Sequence, residues 1–490
     1  MKREESHQLL FAFADSPKGS KDDKPVGEPT GKSILQQIAK ARKDEDSCTT
    51  KGPPEGLMEK VASRQNLASA LLHVARNEGA PGPDGMTTEE ILEAGHRLLE
   101  PLRSDLLAGR YRPGEIRRKE IPKPGGGSRN LGIPNCIDRW VQQAVHQILE
   151  PAFEPGFHPS SHGFRPDRGA QTAIAEAKQH LMSGCNYVVS IDLSRFFDEV
   201  NHQRLLARLA RTIADKRVLR LIDQLLKAKV VLPDGTRVNT EKGTPQGGPL
   251  SPLLSNVVLD ELDWELERRG LKFVRYADDF NAYVKSQRAG ERVMASLTRF
   301  IEKRLRLKVN QDKSEVAPPE DIHFLGFSLK KGQQSHIVVG LSKRTLDRMR
   351  ERIRELTPRT WGNRVSACFA KTNVYLKGWM GYFRLCTIES ERILGNLDSH
   401  IRRRIRAIII THKRTPRILY NHLRARGVKK ASASKVAFTS CGTWRKSNMR
   451  GINLAYSNHW FVGKLTSLWG EWNRFNATPI VVPTQLTLEF

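Results

Sequence analysis

Apolar positions recur at helical spacing over residues 57–77, and the pattern stops at Gly79-Ala80-Pro81-Gly82-Pro83-Asp84-Gly85, a cluster of turn formers. A second helical stretch is predicted over Leu98–Leu107. Two short runs, Ile116–Ile121 and Arg129–Ile133, lie either side of Lys123-Pro124-Gly125-Gly126-Gly127-Ser128 and predict a hairpin. A helix is expected from about Asp138 to Leu149, followed by a loop rich in Pro, Gly and His. Tyr187-Val188-Val189-Ser190-Ile191-Asp192-Leu193 reads as an apolar strand ending in a carboxylate, with a helix near 202–211 after it. Phe273–Ala277 and Phe280–Val284 predict two strands joined by Asp278-Asp279. From about 343 the period becomes helical, over 343–356, 364–383, 388–411 and 415–425. Residues 1–55 are polar and rich in Lys, Asp, Gly, Pro and Ser, which predicts a mostly disordered leader with a short helix near Ile34–Ala41. The layout is α+β followed by an all-helical module.

Length and composition narrow the classes. A chain of 490 residues suggests about three domains, and 38% apolar residues are enough to build their cores. No apolar run is long enough to span a bilayer, and Met1-Lys2-Arg3-Glu4-Glu5 lacks the apolar segment of a signal peptide. Six scattered cysteines include no C-x-x-C pair, which argues against a disulfide framework or a zinc module. A cytoplasmic protein without membrane contact is expected.

The charge adds a partner. Against 53 acidic residues stand 81 basic ones, a net charge of +28. Residues 341–490 hold 29 Lys and Arg but only 8 Asp and Glu, so most of the excess falls there. Sixteen basic residues and no acidic one lie between Asp398 and Glu471, among them Arg402, Arg403, Arg404 and Arg406. A solvated helix face interleaves both signs; a one-signed stretch suits a nucleic-acid backbone, whose counterions it displaces.

The carboxylates point to a reaction. Nucleotidyl transfer uses Asp side chains to hold two Mg²⁺ ions about 4 Å apart, which clamp the attacking and leaving oxygens. Asp192 at a strand end and Asp278-Asp279 at a hairpin tip suit that task if their strands are neighbours. Each alone reads equally as a cap or turn residue.

Taken together, the motifs resemble those of a known family. Tyr276-Ala277-Asp278-Asp279 looks like the signature of reverse transcriptases, and Asp192-Leu193-Ser194-Arg195-Phe196-Phe197-Asp198 resembles their first carboxylate motif. Gly243-Thr244-Pro245-Gln246-Gly247-Gly248 lies between them, as the family's template-side loop does. The Lys123 to Pro134 segment resembles the fingertip hairpin, and His162-Gly163-Phe164-Arg165-Pro166 and Phe324-Leu325-Gly326-Phe327 match further blocks. Asn77-Glu78-Gly79-Ala80-Pro81-Gly82 and Gly378-Trp379-Met380-Gly381-Tyr382-Phe383 resemble the group II intron-encoded reverse transcriptase/maturases, here of a type lacking the zinc endonuclease.

That resemblance implies a right-hand polymerase. After the leader (1–55) would come fingers and palm (56–335), a helical thumb/maturase domain (340–437) and a small basic C-terminal DNA/RNA-binding module (438–490). Asp192, Asp278 and Asp279 would hold two Mg²⁺ ions, with the Leu193 carbonyl as an added ligand. Lys123, Arg129, Phe196, Phe197 and Gln246 would contact the deoxynucleoside triphosphate, with Phe197 as the steric test against a 2′-hydroxyl. Lys313 would protonate the departing pyrophosphate, or stand as an ordinary surface lysine. Arg165 and Arg168 would contact template or support the fingers, and Arg402, Arg403, Arg404 and Arg406 would contact nucleic acid. Implied partners are an RNA template, intron RNA and a DNA primer or target, with residence in a nucleoid or ribonucleoprotein. A domesticated relative in defence or repair, and a non-enzymatic RNA-binding splicing factor, remain open alternatives.

Overall fold

The structure, a computed structural model, describes residues 56–122, 128–332 and 336–477. The polar leader and Lys123 lie outside the described residues. The chain divides into two compact units that meet in sequence near residue 318.

Within the first unit, four strands form the sheet that carries the carboxylates: β3 (Tyr187–Ile191), β6 (Lys272–Tyr276), β7 (Asp279–Val284) and β8 (Glu315–Ala317). Their spatial order is β6-β7-β3-β8, with every neighbour antiparallel. Val189, Ile191, Phe273, Phe280 and Ala282 are buried in one core with the helix Ser251–Arg268 and the helix Gln287–Phe300. A second sheet, ordered β2-β1-β4-β5, is built on the hairpin of β1 (Ile116–Pro122) and β2 (Ser128–Ile133), with β4 (Val230–Val231) and β5 (Arg237–Val238) beside it.

Several predicted boundaries move. The single helix expected over 57–77 is two, Leu57–Val61 and Arg64–Arg76, because the Ser63 side chain accepts the Asn66 N–H and starts a new helix. The helix expected from Leu98 begins at Thr88: Thr87 and Glu90 form a reciprocal capping box, and Pro101 is accommodated inside. The carboxylate hairpin turns on Ala277-Asp278 rather than Asp278-Asp279, since Asp279 pairs with Tyr276 and opens β7.

In the second unit, β9 (Phe327–Lys331) pairs antiparallel with β10 (Ile337–Leu341). Helices follow over Lys343–Leu356, Val365–Phe383, Glu391–His412, Pro416–Ala425 and Lys430–Phe438, with further ones up to Leu468–Ala477. Pro416 sits at the first position of its helix, behind a Thr415 cap, where its missing N–H costs nothing. Among the described residues no helix is long and apolar enough to cross a membrane, and the five cysteines are unpaired.

Candidate active site

The register of β3 against β7 sets Ile191 opposite Phe280, so Asp192 leaves its strand beside the start of β7, where Asp279 stands. The same β7 closes the turn that carries Asp278. Carboxylates from two segments far apart in sequence, Asp192 and Asp278-Asp279, thus converge at one end of one sheet. Ala277 adopts φ 56°, a left-handed conformation uncommon outside glycine, and it holds the turn tight.

The convergence perturbs the acids. Burial raises the Asp278 carboxyl above the usual range, and the charge of Asp192 adds to the shift. Crowding by surrounding protein pushes Asp279 up to about 7, with Asp278 and Asp192 contributing and Lys313 and Arg129 opposing. Asp279 is itself exposed to solvent, so repulsion by the charges of Asp278 and Asp192 beside it governs the direction of the shift. Crowded acids with so little compensation fit a divalent cation. Among the described residues no group of three or more His, Cys, Asp or Glu side chains is placed to hold a metal ion, so Asp192, Asp278 and Asp279 do not form a ready-made cage.

Asp192 is fixed from a segment that contributed only Lys313 to the sequence reading. Asn310 donates from its side chain to Asp192 Oδ2 at 3.0 Å and from its backbone to the Asp192 carbonyl at 2.8 Å. The Asp192 N–H donates to Ser314 Oγ at 3.1 Å. Lys313 Nζ lies 3.8 Å from Asp192 Oδ2 on a side chain that is 62% exposed. Leu193 is buried and bridges to Val309.

Beneath the Asp278 turn lies a buried ion pair that the sequence reading missed. Arg275 and Asp263 have no exposed side-chain surface; the guanidinium donates to both carboxylate oxygens at 2.6–3.0 Å. Its Nη1 also donates to Asn256 Oδ1 and to the carbonyl of Ala277, each at 3.0 Å, so the ion pair grips the turn directly. Asn256 in turn donates to the Gly163 carbonyl at 2.9 Å. A Cβ on Gly163 would lie 2.3 Å from the Ala277 nitrogen, and only glycine allows this loop to pack there. The visible signal was an arginine inside the apolar run Phe273-Val274-Arg275-Tyr276, a position where a charge needs a partner.

The candidate nucleotide contacts divide. Arg129 is exposed on β2, and its charge acts on both Asp278 and Asp279. Phe197 is half-buried and packs edge-on against Phe196 at 5.1 Å; its carbonyl accepts the Thr244 N–H at 2.7 Å. Phe196 is 2% exposed, so it supports Phe197 from the core instead of offering a contact surface. The Gln246 carbonyl accepts the Gly132 N–H at 2.8 Å, which ties the Gly/Pro loop to the β1–β2 hairpin.

The arginines expected on nucleic acid are corrected in part. Arg165 is buried, bound to Glu154 at 2.8 Å and to the carbonyls of His158 and Ser161. Arg168 donates to the Pro159 carbonyl. In the helical unit, Arg404 and Arg406 turn inward: Arg404 donates to the hydroxyl and carbonyl of Thr357 at 2.6 Å, and Arg406 to the Tyr456 carbonyl at 2.9 Å. Their neighbours Arg402 and Arg403 are half-buried, Arg403 lying 3.9 Å over the Trp444 ring.

Residues 121–329 match the family described as reverse transcriptase (RNA-dependent DNA polymerase), and residues 346–427 match the group II intron maturase-specific domain. Protein YkfC of Escherichia coli (strain K12) is 34% identical over 64% of this chain and 90% of its own length. The putative COX1/OXI3 intron 2 protein of Saccharomyces cerevisiae is 30% identical over 47% of this chain. The group II intron-encoded protein LtrA of Lactococcus lactis subsp. cremoris is 35% identical over 39% of it. The chain spans only about a third of the length of these two intron proteins, 34% and 31%.

Proposed function

Since the chain belongs to the reverse transcriptases that carry a group II intron maturase domain, we propose that it extends a DNA 3′ end on an RNA template and binds intron RNA to aid splicing and mobility. A polymerase of this family depends on a divalent metal; two Mg²⁺ ions are the reading that the crowded Asp192, Asp278 and Asp279 support best. When bound, such ions lower the charge barrier to in-line attack on the α-phosphate.

The chain's own groups do the rest. Asp192 and Asp278 are the proposed ligands, with Asp279 and the Leu193 carbonyl in support. Arg129 draws the triphosphate toward them, with Lys123 as its proposed companion. Phe197 lies under the sugar and excludes a 2′-hydroxyl; Gln246 and its glycines admit the templating base pair. Lys313 is the proposed acid for pyrophosphate, freed for that role if Asp192 shifts its charge to metal. Such positioning and charge stabilisation supply most of the catalysis in phosphoryl transfer. Residence in a ribonucleoprotein follows from the same reading.

The observation that carries it is the register that brings Asp192 beside the Asp278 turn. Primer extension on poly(rA)/oligo(dT) with Mg²⁺ tests it. Robust synthesis is expected, falling by about a thousandfold or more in Asp278→Ala, the scale of lost electrostatic stabilisation. No synthesis, or equal synthesis by the variant, would overturn the polymerase reading.

A further inference from the structure

The helical unit contains a cavity of about 600 Å³ that the polymerase reading does not use. Phe369, Tyr456 and Trp460 form its aromatic wall, and Lys413, Arg426 and Lys464 stand among its lining residues. Tyr456 and Trp460 meet edge to face at 4.7 Å, and Phe369 lies 6.0 Å from Trp460. The Arg426 guanidinium sits 4.4 Å over the Tyr456 ring, anchored by a 2.9 Å bond to the Ala455 carbonyl. Lys464 lies 5.0 Å over Trp460 and donates to its carbonyl at 3.1 Å. Tyr456 is almost wholly buried, whereas Trp460 is half-exposed and offers a ring surface to an incoming group.

An ordinary packing gap is apolar and has no reason to gather like charges. Here no acidic residue lines the cavity, and none occurs between Asp398 and Glu471 to neutralise it. Burial, with the charges of Lys413 and Arg426, also holds the lining His422 below the usual imidazole range. Three unrelieved cations beside an aromatic wall match one ligand chemistry well: a planar ring that stacks and an attached anion that meets the cations. A nucleotide has both. The volume lies in the range of small-molecule sites.

We propose that this cavity takes one unpaired nucleotide of a bound RNA strand, its base stacked against Trp460 and the Arg426 guanidinium and its phosphates met by Lys413 and Lys464. The choice of RNA rests on the reading above, because eight of the eleven lining residues fall within the stretch that matches the maturase-specific domain. The proposal adds a defined pocket to that reading.

The test measures binding of the full chain to a labelled oligoadenylate RNA and to the same ribose-phosphate chain without bases. For the native protein, removal of the bases should weaken binding about tenfold or more, within the range of base–aromatic stacking. Trp460→Leu should lose a similar factor on the intact RNA and almost nothing further on the abasic chain. Additive losses would place the base elsewhere and overturn the proposal. Should Trp460→Leu fail to fold, as judged by circular dichroism, Lys464→Gln and Arg426→Gln take its place; both side chains are exposed, and each should weaken RNA binding severalfold. Unchanged affinity in both would overturn the proposal. Oligodeoxyadenylate that binds as tightly, with the same Trp460 dependence, would overturn the assignment to RNA. Oligoglutamate with that dependence would point instead to an acidic protein segment. A native protein with no affinity for RNA would remove the reading beneath the proposal; RNA binding untouched by these variants removes only the pocket.

Discussion

Arg275 illustrates how one residue can matter to chemistry without touching substrate. Its guanidinium is fully buried, paired with an equally buried Asp263, and donates to the carbonyl of Ala277 next to Asp278. Two charges so placed were stripped of water, and the pair recovers that cost only while both partners remain. Asp263→Asn should therefore destabilise the unit by about 3–5 kcal/mol, read by urea unfolding. The double replacement Asp263→Leu with Arg275→Met should regain most of that stability, yet primer extension should stay low because the Ala277 carbonyl loses its donor. Full recovery of synthesis in the double variant would show that the ion pair serves stability alone.

At the scale of elements, the catalytic hairpin depends on a loop far away in sequence. Gly163 packs against the Ala277 nitrogen and is held by Asn256 from the helix Ser251–Arg268. Gly163→Ala would push a methyl group into that backbone, and a shift of about 1 Å at the acids costs roughly a hundredfold in rate. The expected result is a large fall in kcat with native-like circular dichroism; unaltered kcat would mean that the loop yields instead.

The same loop is tied to the helix Ala170–Met182 through Glu176. Burial alone would raise the Glu176 carboxyl, but hydrogen bonds from His162, His180 and Ser160 outweigh it and bring the group down to about 2. A carboxyl depressed by folding stabilises above its unfolded value and loses that contribution as pH falls through the folded one. The window runs from pH 4.5 down to about 2, with about 3 kcal/mol at stake. Glu176→Gln should flatten the acid-unfolding profile across that window, and a profile identical to the native one would count against the pair. These links explain what was legible. The apolar runs either side of Asp278-Asp279 and the strand ending at Asp192 were local patterns, so these strands and their carboxylates could be read. Asn256 and Gly163 meet across 93 residues, and Asp263 reaches Arg275 from a neighbouring helix 12 residues away; no local pattern announces either contact. Thr87-Thr88-Glu89-Glu90 was a readable start signal that the apolar period, weak before Leu98, concealed.

Across the whole molecule, charge identified the partner but not the contacts. Twenty-nine basic residues against eight acidic ones in 341–490 read as a single nucleic-acid surface. The fold divides them by burial. Arg404 and Arg406 lie inside, where an arginine can satisfy several carbonyls at once; Lys429 and Lys430 are exposed. Sequence alone could not separate these roles, because an arginine that spans two helices and one that faces solvent share the same composition and the same helical period. The two classes should respond differently. Each phosphate neutralised on a single strand contributes about 0.7 to the slope of log affinity against log salt. Lys429→Gln with Lys430→Gln should lower that slope by about 1.4 if both meet phosphate, with the unfolding midpoint unchanged. Arg404→Gln should do the reverse: it strands the buried Thr357 acceptors at a cost of about 1–3 kcal/mol and leaves the salt slope of the folded fraction intact. A fall in slope for Arg404→Gln at native stability would return that arginine to the binding surface, since only a charge that displaces counterions can change the slope.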